Sequence, residues 1–381
     1  MYAKNILRSL LIALTSASMV HHGAAGATDS ANTLITDLEL RAADKPISEN
    51  SAWDPKRVIV NLPAFLSTQI PDFEQRLKQA AGTVELVVDR SDNFVLDKKV
   101  LKGTDAIIGL CTPPTMQNAD RKLLWLHNYF VGMDNCQGLT EEQQEKVIFT
   151  NTKRLSGPAI AEHAIAMMMA LTKGLPNYMR AQNDSKWDQN LARSSRFGEL
   201  TGKTMLVVGL GGIGSQIAIR ANGLGMRIIA TRNSSREGPE YVEYVGLADE
   251  LHTLAAKADV IVNALPLTEK TTGVFDKAFF SSAKPGAIFL SVGRGKSTVT
   301  ADLIAALASK QLYGAGLDVT DPEPLPESSA LWSMENVIIT PHISAVTAQS
   351  LERTATLTIE NLRRYIAGEA MLNVVNIRDG Y

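Results

Sequence analysis

The run Gly209-Leu210-Gly211-Gly212-Ile213-Gly214 fits G-x-G-x-x-G, and its neighbours give the pattern meaning. An apolar stretch, Thr204-Met205-Leu206-Val207-Val208, precedes it, and a helical stretch over 215–223 follows. In such a strand–turn–helix the first glycine permits the tight turn, the second lets backbone approach a pyrophosphate, and the third lets helix and strand pack closely. The phosphates then lie at a helix N-terminus, where unpaired amides point outward and the dipole favours negative charge. Gly209, Gly211, Gly212, Ile213 and Gly214 are therefore expected to bind a dinucleotide.

A site of the NAD type places an acidic residue roughly 20 positions further on, for the ribose 2′-hydroxyl. Here the next strand ends Ala230-Thr231-Arg232-Asn233-Ser234-Ser235-Arg236, with no carboxylate. Arg232 would attract a 2′-phosphate and stack on adenine, and the serines offer short donors. Arg232, Asn233 and Ser234 thus point to NADP as the preferred cofactor, with NAD as the alternative.

These residues need a sheet to hold them. Apolar runs at 57–62, 84–88, 106–110 and 123–127 read as strands, and a helical stripe over 71–80 lies among them. A second block places strands at 204–208, 227–230, 260–263, 287–290, 314–318 and 337–340. Strands alternating with helices make an α/β protein built from doubly wound parallel sheets. Between the blocks, Pro158 opens an almost wholly apolar helix over 159–171, buried in a core or in a subunit interface. Its Met167-Met168-Met169 reads as packing rather than as a metal or cofactor site. An amphipathic helix over 345–366 closes the chain.

Bulk properties narrow the function classes. With 381 residues, 45% hydrophobic and 20% charged, the chain is long enough for two domains. A net charge of -2 advertises no nucleic-acid surface. Its two cysteines, Cys111 and Cys136, cannot form a cysteine zinc site, and no metal is expected. Both read as small buried residues, with a single bridge between them if the protein is exported. Export is raised by the N-terminus: Lys4 and Arg8 precede a short apolar run at 10–14, and Ala25-Gly26-Ala27 has the A-x-A form of a cleavage site. Residues 1–27 therefore look like a signal peptide, and 28–52 like a linker.

Four further stretches carry a resemblance. They are Ala264-Leu265-Pro266-Leu267-Thr268; Lys284-Pro285-Gly286-Ala287 leading to Gly293-Arg294-Gly295; Leu317-Asp318-Val319-Thr320-Asp321-Pro322-Glu323-Pro324; and Thr340-Pro341-His342-Ile343. With the glycine loop they resemble the D-isomer-specific 2-hydroxyacid dehydrogenase family, from about residue 57 to the C-terminus. The resemblance implies a catalytic triad of Arg294, Glu323 and His342, and further cofactor contacts at Leu265, Pro266, Val292 and Asp318. A 2-oxo acid presents a carboxylate and a carbonyl, and hydride addition places negative charge on the carbonyl oxygen. Arg294 offers a rigid fork of donors to both groups. His342 can deliver the proton, and Glu323 would orient the imidazole and favour its protonated form.

The stretch Trp125-Leu126-His127-Asn128-Tyr129-Phe130-Val131-Gly132-Met133-Asp134 resembles the family's substrate-carboxylate loop, which makes Val131 and Gly132 the expected amide donors. Many relatives have a smaller residue where Val131 stands, and Tyr129 and Phe130 are also bulky. The implied architecture is two Rossmann-like or flavodoxin-like domains with a cleft between them. The substrate domain would comprise 53–152 and 345–381, and the cofactor domain 153–344. The expected activity is reduction of a small 2-oxo acid, such as glyoxylate or hydroxypyruvate, in a homodimer that binds neither nucleic acid nor membrane. The alternatives are an NAD-dependent oxidising enzyme and a nucleotide-binding co-repressor or scaffold. The signal-like start points to a periplasmic or secreted protein, and the resemblance to a cytoplasmic one.

Overall fold

The computed structural model describes residues 24–191 and 198–378. It contains two parallel sheets. The first comprises β1 (Arg57–Asn61), β2 (Glu85–Asp89), β3 (Ala106–Gly109), β4 (Trp125–Asn128) and β5 (Ile148–Thr150), in the order β2-β1-β3-β4-β5. This is the flavodoxin-like order, with its reversal between β1 and β3. The second comprises β6 (Thr204–Val208), β7 (Arg227–Thr231), β8 (Tyr244–Gly246), β9 (Val260–Asn263), β10 (Ala287–Ser291), β11 (Leu312–Leu317) and β12 (Val337–Ile339). Its order, β12-β11-β10-β9-β6-β7-β8, is that of a Rossmann sheet extended by one strand, and its reversal lies between β6 and β9.

The α/β class follows from burial on both faces. In β6, Met205 and Val207 pack into one apolar layer and Leu206 and Val208 into the other, all at most 2% exposed. In β1, Val58 and Val60 face one layer and Ile59 the opposite one. Two-sided burial explains runs that are apolar throughout rather than alternating.

The sheets also correct the sequence reading. The second has seven strands rather than six, and the first has five rather than four, because β8 and β5 are only three residues each. The helix Gly157–Thr172 packs on the second sheet's apolar layer and against the helix Gly212–Gly223, so it belongs to a core of this chain. It is not buried all round, since Glu162 and Ala166 are exposed. Met167 and Met168 are buried and Met169 is partly so, as packing residues should be. The helix Ala348–Ala367 is capped by Thr347 and stopped by Gly368 at φ 76°. It returns to the first sheet, where Tyr365 stacks on Trp125 at 5.0 Å.

The expected linker is not free chain. A helix at Ala24–Asp37 packs on the C-terminal helix, and Ala31, Leu34, Leu40 and Ile47 are buried. The apolar run of the signal-like segment lies outside the described residues. Among the described residues no helix is long and apolar enough to cross a membrane.

Candidate active site

The glycine loop forms as its spacing requires. Gly209 adopts φ +99°, and a Cβ there would stand 2.9 Å from the Ala264 carbonyl oxygen. A Cβ on Gly214 would overlap the Gly209 carbonyl, so only glycine lets the helix start this close to the strand. Gly211 caps the helix Gly212–Gly223, and the space where its Cβ would stand is open. The first intrahelical bond runs from Ser215 N to Gly211 O, which leaves the amides of Gly212, Ile213 and Gly214 for an outside acceptor. The loop sits where the strand order reverses, and Ala264-Leu265-Pro266 follows β9 across that reversal. Leu265 N donates to Asn263 Oδ1 at 3.1 Å, and Val292 N to the Asn263 carbonyl at 3.1 Å.

At the end of β7 the two arginines separate. Arg236 is engaged, with Nη1 2.7 Å from Glu250 Oε2 and 2.9 Å from the Tyr244 hydroxyl. Arg232 is half-buried, and its Nε is enclosed without a hydrogen-bond partner. An orphaned buried guanidinium nitrogen is an unmet demand for an acceptor. The open turn at Gly211 and the free helix amides fit a dinucleotide, and Arg232 lies at the end of β7 beside them.

Arg294, Glu323 and His342 each lie on a loop beyond the carboxyl end of a strand of the second sheet, namely β10, β11 and β12. His342 Nδ1 is 3.1 Å from Glu323 Oε2, and Glu323 Oε1 accepts from Thr320 N at 2.8 Å. His342 Nε2 has no partner among the described residues. Two supports hold the loops together. A Cβ on Gly295 would overlap the Thr320 carbonyl, so the Arg294 loop packs directly on the Glu323 loop. Asp318, 1% exposed, accepts from Thr340 Oγ1 at 2.7 Å, Ile343 N at 3.0 Å and Ser344 N at 3.1 Å, gripping both sides of His342. Burial opposes the Asp318 charge, but hydrogen bonds from Ser344, Thr340 and Ile343 outweigh it and hold the carboxyl below its ordinary range. His342 itself sits at φ 55°, a left-handed conformation that this grip enforces. His163, on the helix Gly157–Thr172, bonds Thr340 Oγ1 at 2.8 Å and so backs the same loop.

The loop after β4 faces Arg294 from the other sheet. Its carbonyls are tied down one by one. Thr152 Oγ1 donates to the Tyr129 carbonyl at 3.0 Å, Asn128 Nδ2 to those of Phe130 (2.8 Å) and Gly132 (3.1 Å), and Asn151 Nδ2 to that of Val131 (2.6 Å). The amides of Val131 and Gly132 donate to no acceptor among the described residues. A Cβ on Gly132 would overlap Nη2 of Arg294, so the two loops touch there. Tyr129 turns inward, donating from its hydroxyl to the Asn61 carbonyl at 3.0 Å, while Phe130 stays 49% exposed. Cys111 and Cys136 form a disulfide, Cα atoms 4.8 Å apart, that closes the loop's far end onto the chain after β3. The bridge between Cys111 and Cys136 is the one the sequence allowed for an exported protein, whereas Asn128, Asn151 and Asp134 are site residues the sequence reading did not pick out. The signal available was a polar pair, His127-Asn128, at the end of a buried strand.

With this geometry in hand, comparison with known proteins identifies the class. Residues 165–344 match the family described as D-isomer specific 2-hydroxyacid dehydrogenase, NAD binding domain. The chain is similar to a glyoxylate reductase of Korarchaeum cryptofilum, 32% identical over 323 residues, covering 82% of this chain and 95% of that one. It resembles the crystal structure of a D-isomer specific 2-hydroxyacid dehydrogenase family protein from Aeromonas salmonicida at TM-score 0.70 and 29% identity, covering 84% and 99% of the two chains. It also resembles an NADPH-dependent glyoxylate/hydroxypyruvate reductase from Sinorhizobium meliloti, solved with NADP and sulfate, at TM-score 0.71 and 25% identity, covering 86% and 100%. The chain belongs to the D-isomer specific 2-hydroxyacid dehydrogenase family. It is an NAD(P)-dependent oxidoreductase of small 2-oxo and 2-hydroxy acids.

Proposed function

We propose that the protein reduces a small 2-oxo acid, such as glyoxylate or hydroxypyruvate, to the D-2-hydroxy acid with NADPH. The observation that carries this reading is the meeting of the Val131 and Gly132 amides with Arg294 between the two sheets, beside the Glu323–His342 pair. The amides and the Arg294 fork bind the substrate carboxylate, and Arg294 also polarises the carbonyl. When bound, the reduced nicotinamide supplies the hydride. His342 holds the proton for the developing alkoxide on Nε2, because Glu323 occupies Nδ1 and fixes the ring. Residues 53–152 with 345–381 act as the substrate domain and 153–344 as the cofactor domain; their closure excludes water from the exposed His342–Glu323 pair. Gly209, Gly211, Gly212, Ile213 and Gly214 cradle the pyrophosphate, Leu265, Pro266, Val292 and Asp318 line the nicotinamide side, and Arg232, Asn233 and Ser234 take the 2′-phosphate.

The unmet Arg232 Nε supports NADPH over NADH, as does the NADPH dependence of the Sinorhizobium relative. The test is absorbance at 340 nm across a panel of 2-oxo acids with each reduced cofactor. His342→Ala should lower kcat by roughly 10²–10⁴-fold with dinucleotide affinity unchanged, and near-wild-type turnover in that variant would reject the assignment. Exposure of Leu175, Met179 and Trp187 supports a homodimer, checked by sedimentation. The disulfide supports removal of residues 1–27 on export to an oxidising compartment. N-terminal sequencing of the native protein should then begin near Thr28.

A further inference from the structure

Arg294 has a partner that the reaction scheme leaves unassigned. Its Nε points at Asp134 Oδ1, 3.4 Å away, and its Nη1 donates to the Gly293 carbonyl at 2.9 Å. Asp134 follows β4 and Arg294 follows β10, so this ion pair joins the two sheets across the site. Asp134 makes no ion pair with any other cation among the described residues. Its position is fixed from both sides. Asn128 holds the chain two residues before it, Gln137 Nε2 donates to the Asp134 carbonyl at 2.9 Å, and the Cys111–Cys136 bridge anchors the chain two residues after it. Both side chains are about one-third exposed, so water screens the pair only in part.

A guanidinium has five N–H donors in one plane. Asp134 takes the Nε edge and Gly293 takes one proton of Nη1. What remains is one proton on Nη1 and both on Nη2, the end that lies against Gly132. We propose that Asp134 is a positioning residue: by holding the Nε edge it turns the Nη edge of Arg294 toward the carboxylate that the Val131 and Gly132 amides receive. This rests on the proposed function, in which Arg294 touches the substrate. Without Asp134 the fork is free to swing about its last torsions, and a misplacement of about 1 Å at a reacting group costs on the order of 10²-fold.

A counter-charge alone makes a different prediction from a positioning device. If Asp134 only neutralised Arg294, its removal would tighten binding of any anion. The experiment is therefore a double-mutant cycle with a binding arm, using Asp134→Ala, the near-isosteric Asp134→Asn, Arg294→Lys and the double variant Arg294→Lys/Asp134→Ala. Asp134→Ala should lower kcat/KM for the best 2-oxo acid by about 30- to 100-fold, and Asp134→Asn, which keeps an acceptor for Nε, by less. Lysine has no Nε edge to hold, so the double variant should be no worse than Arg294→Lys alone, within about 2- to 3-fold. Oxamate, an unreactive 2-oxo acid mimic, should bind Asp134→Ala more weakly than wild type by calorimetry. Additive losses in the double variant, or tighter oxamate binding with kcat/KM retained, overturn the proposal. Full activity in Arg294→Ala would instead overturn the proposed function, and this inference with it.

Discussion

The glycine loop after β6 and the loop after β4 both offer backbone amides to an anion, and they free those amides by different means. At the glycine loop a helix begins, and its first amides lack partners because no preceding turn exists to accept from them. The cost is steric, met by glycines at 209 and 214. The loop after β4 has no helix. Its amides are free because Asn128, Asn151 and Thr152 claim the intervening carbonyls, leaving the backbone no internal acceptor to turn toward. One site is made by backbone geometry, the other by side-chain clamps and a covalent bridge. Local sequence suffices for the first, whereas the second depends on residues brought in from the chain after β5 and the chain after β3.

If the second site depends on its clamps, releasing them should damage it without touching the first. The largest effect is expected from the disulfide. Closing 25 residues of chain contributes about 3–4 kcal/mol in the loop-entropy account. Replacing Cys111 and Cys136 by Ala should lower stability by that order in denaturant melts. KM for the 2-oxo acid should rise and NADPH affinity should stay near wild type. Equal loss of both ligands would mean that the bridge supports the whole fold rather than this loop.

Gly132→Ala sharpens the contrast next. The added methyl meets the flexible ends of Arg294 and Asp134, so side chains rather than backbone must give way. Stability should change little, while kcat/KM falls by about 10²-fold through displacement of Arg294. By contrast, Gly214→Ala meets backbone at Gly209 and should weaken dinucleotide binding itself. Identical effects of the two substitutions would remove the distinction between the loops.

This difference in construction also explains what could be read from the chain. The glycine loop was legible because its demands are local: a strand, glycines at 209, 211 and 214, and a helix in 20 contiguous residues. The pairing of Glu323 with His342 was legible through the resemblance, and the structure brings the two to 3.1 Å. The clamps were not, since Asn151 reaches the Val131 carbonyl from 20 residues away and nothing in either segment announces it. Strands β5 and β8 were missed because Ile148-Phe149-Thr150 and Tyr244-Val245-Gly246 are too short to display a period, whereas β12, equally short and also at an edge, was legible through the β-branched run Val337-Ile338-Ile339-Thr340. Residues 28–52 look polar on average, yet a few separated apolar side chains, Leu34, Leu40 and Ile47, bury well enough to pack the segment down.

Arg232→Asp tests the glycine-loop half by charge. The native Arg232 should favour NADPH by roughly 10- to 100-fold, the worth of one charge-assisted hydrogen bond. The aspartate variant should prefer NADH, since it adds repulsion as well as removing attraction. Values of kcat/KM for both cofactors at one ionic strength decide it. A wild type that prefers NADH would show that Arg232 does not meet the 2′-phosphate.

The smallest effect separates the two sheets by pH. His127 on β4, fully buried at the base of the loop that follows it, bonds Thr150 Oγ1 at 2.9 Å and Thr358 Oγ1 at 3.0 Å. Burial pushes its pKa down to about 3 from the ordinary 6.5, so the fold keeps it neutral. The unfolded chain therefore binds a proton that the folded chain refuses between pH 6.5 and about 3, and stability falls as pH drops through that window. At pH 5.5 the loss is about 1.4 kcal/mol, because one unit below the unfolded pKa corresponds to that much. The second sheet's buried ionisable group behaves otherwise. Asp318 is held below its ordinary 3.8, so its contribution is intact above that pH and is lost only as pH falls through the lower folded value. Between pH 6.5 and 4, then, His127 weakens the first sheet while Asp318 leaves the second untouched. Hydrogen exchange at pH 7 and pH 5.5 should show amides of β3 and β4 losing protection before those of β9 and β10. His127→Gln, which keeps hydrogen bonding but cannot charge, should abolish the difference; a wild type and variant with the same pH dependence would show that this histidine does not set the acid limit of the first sheet.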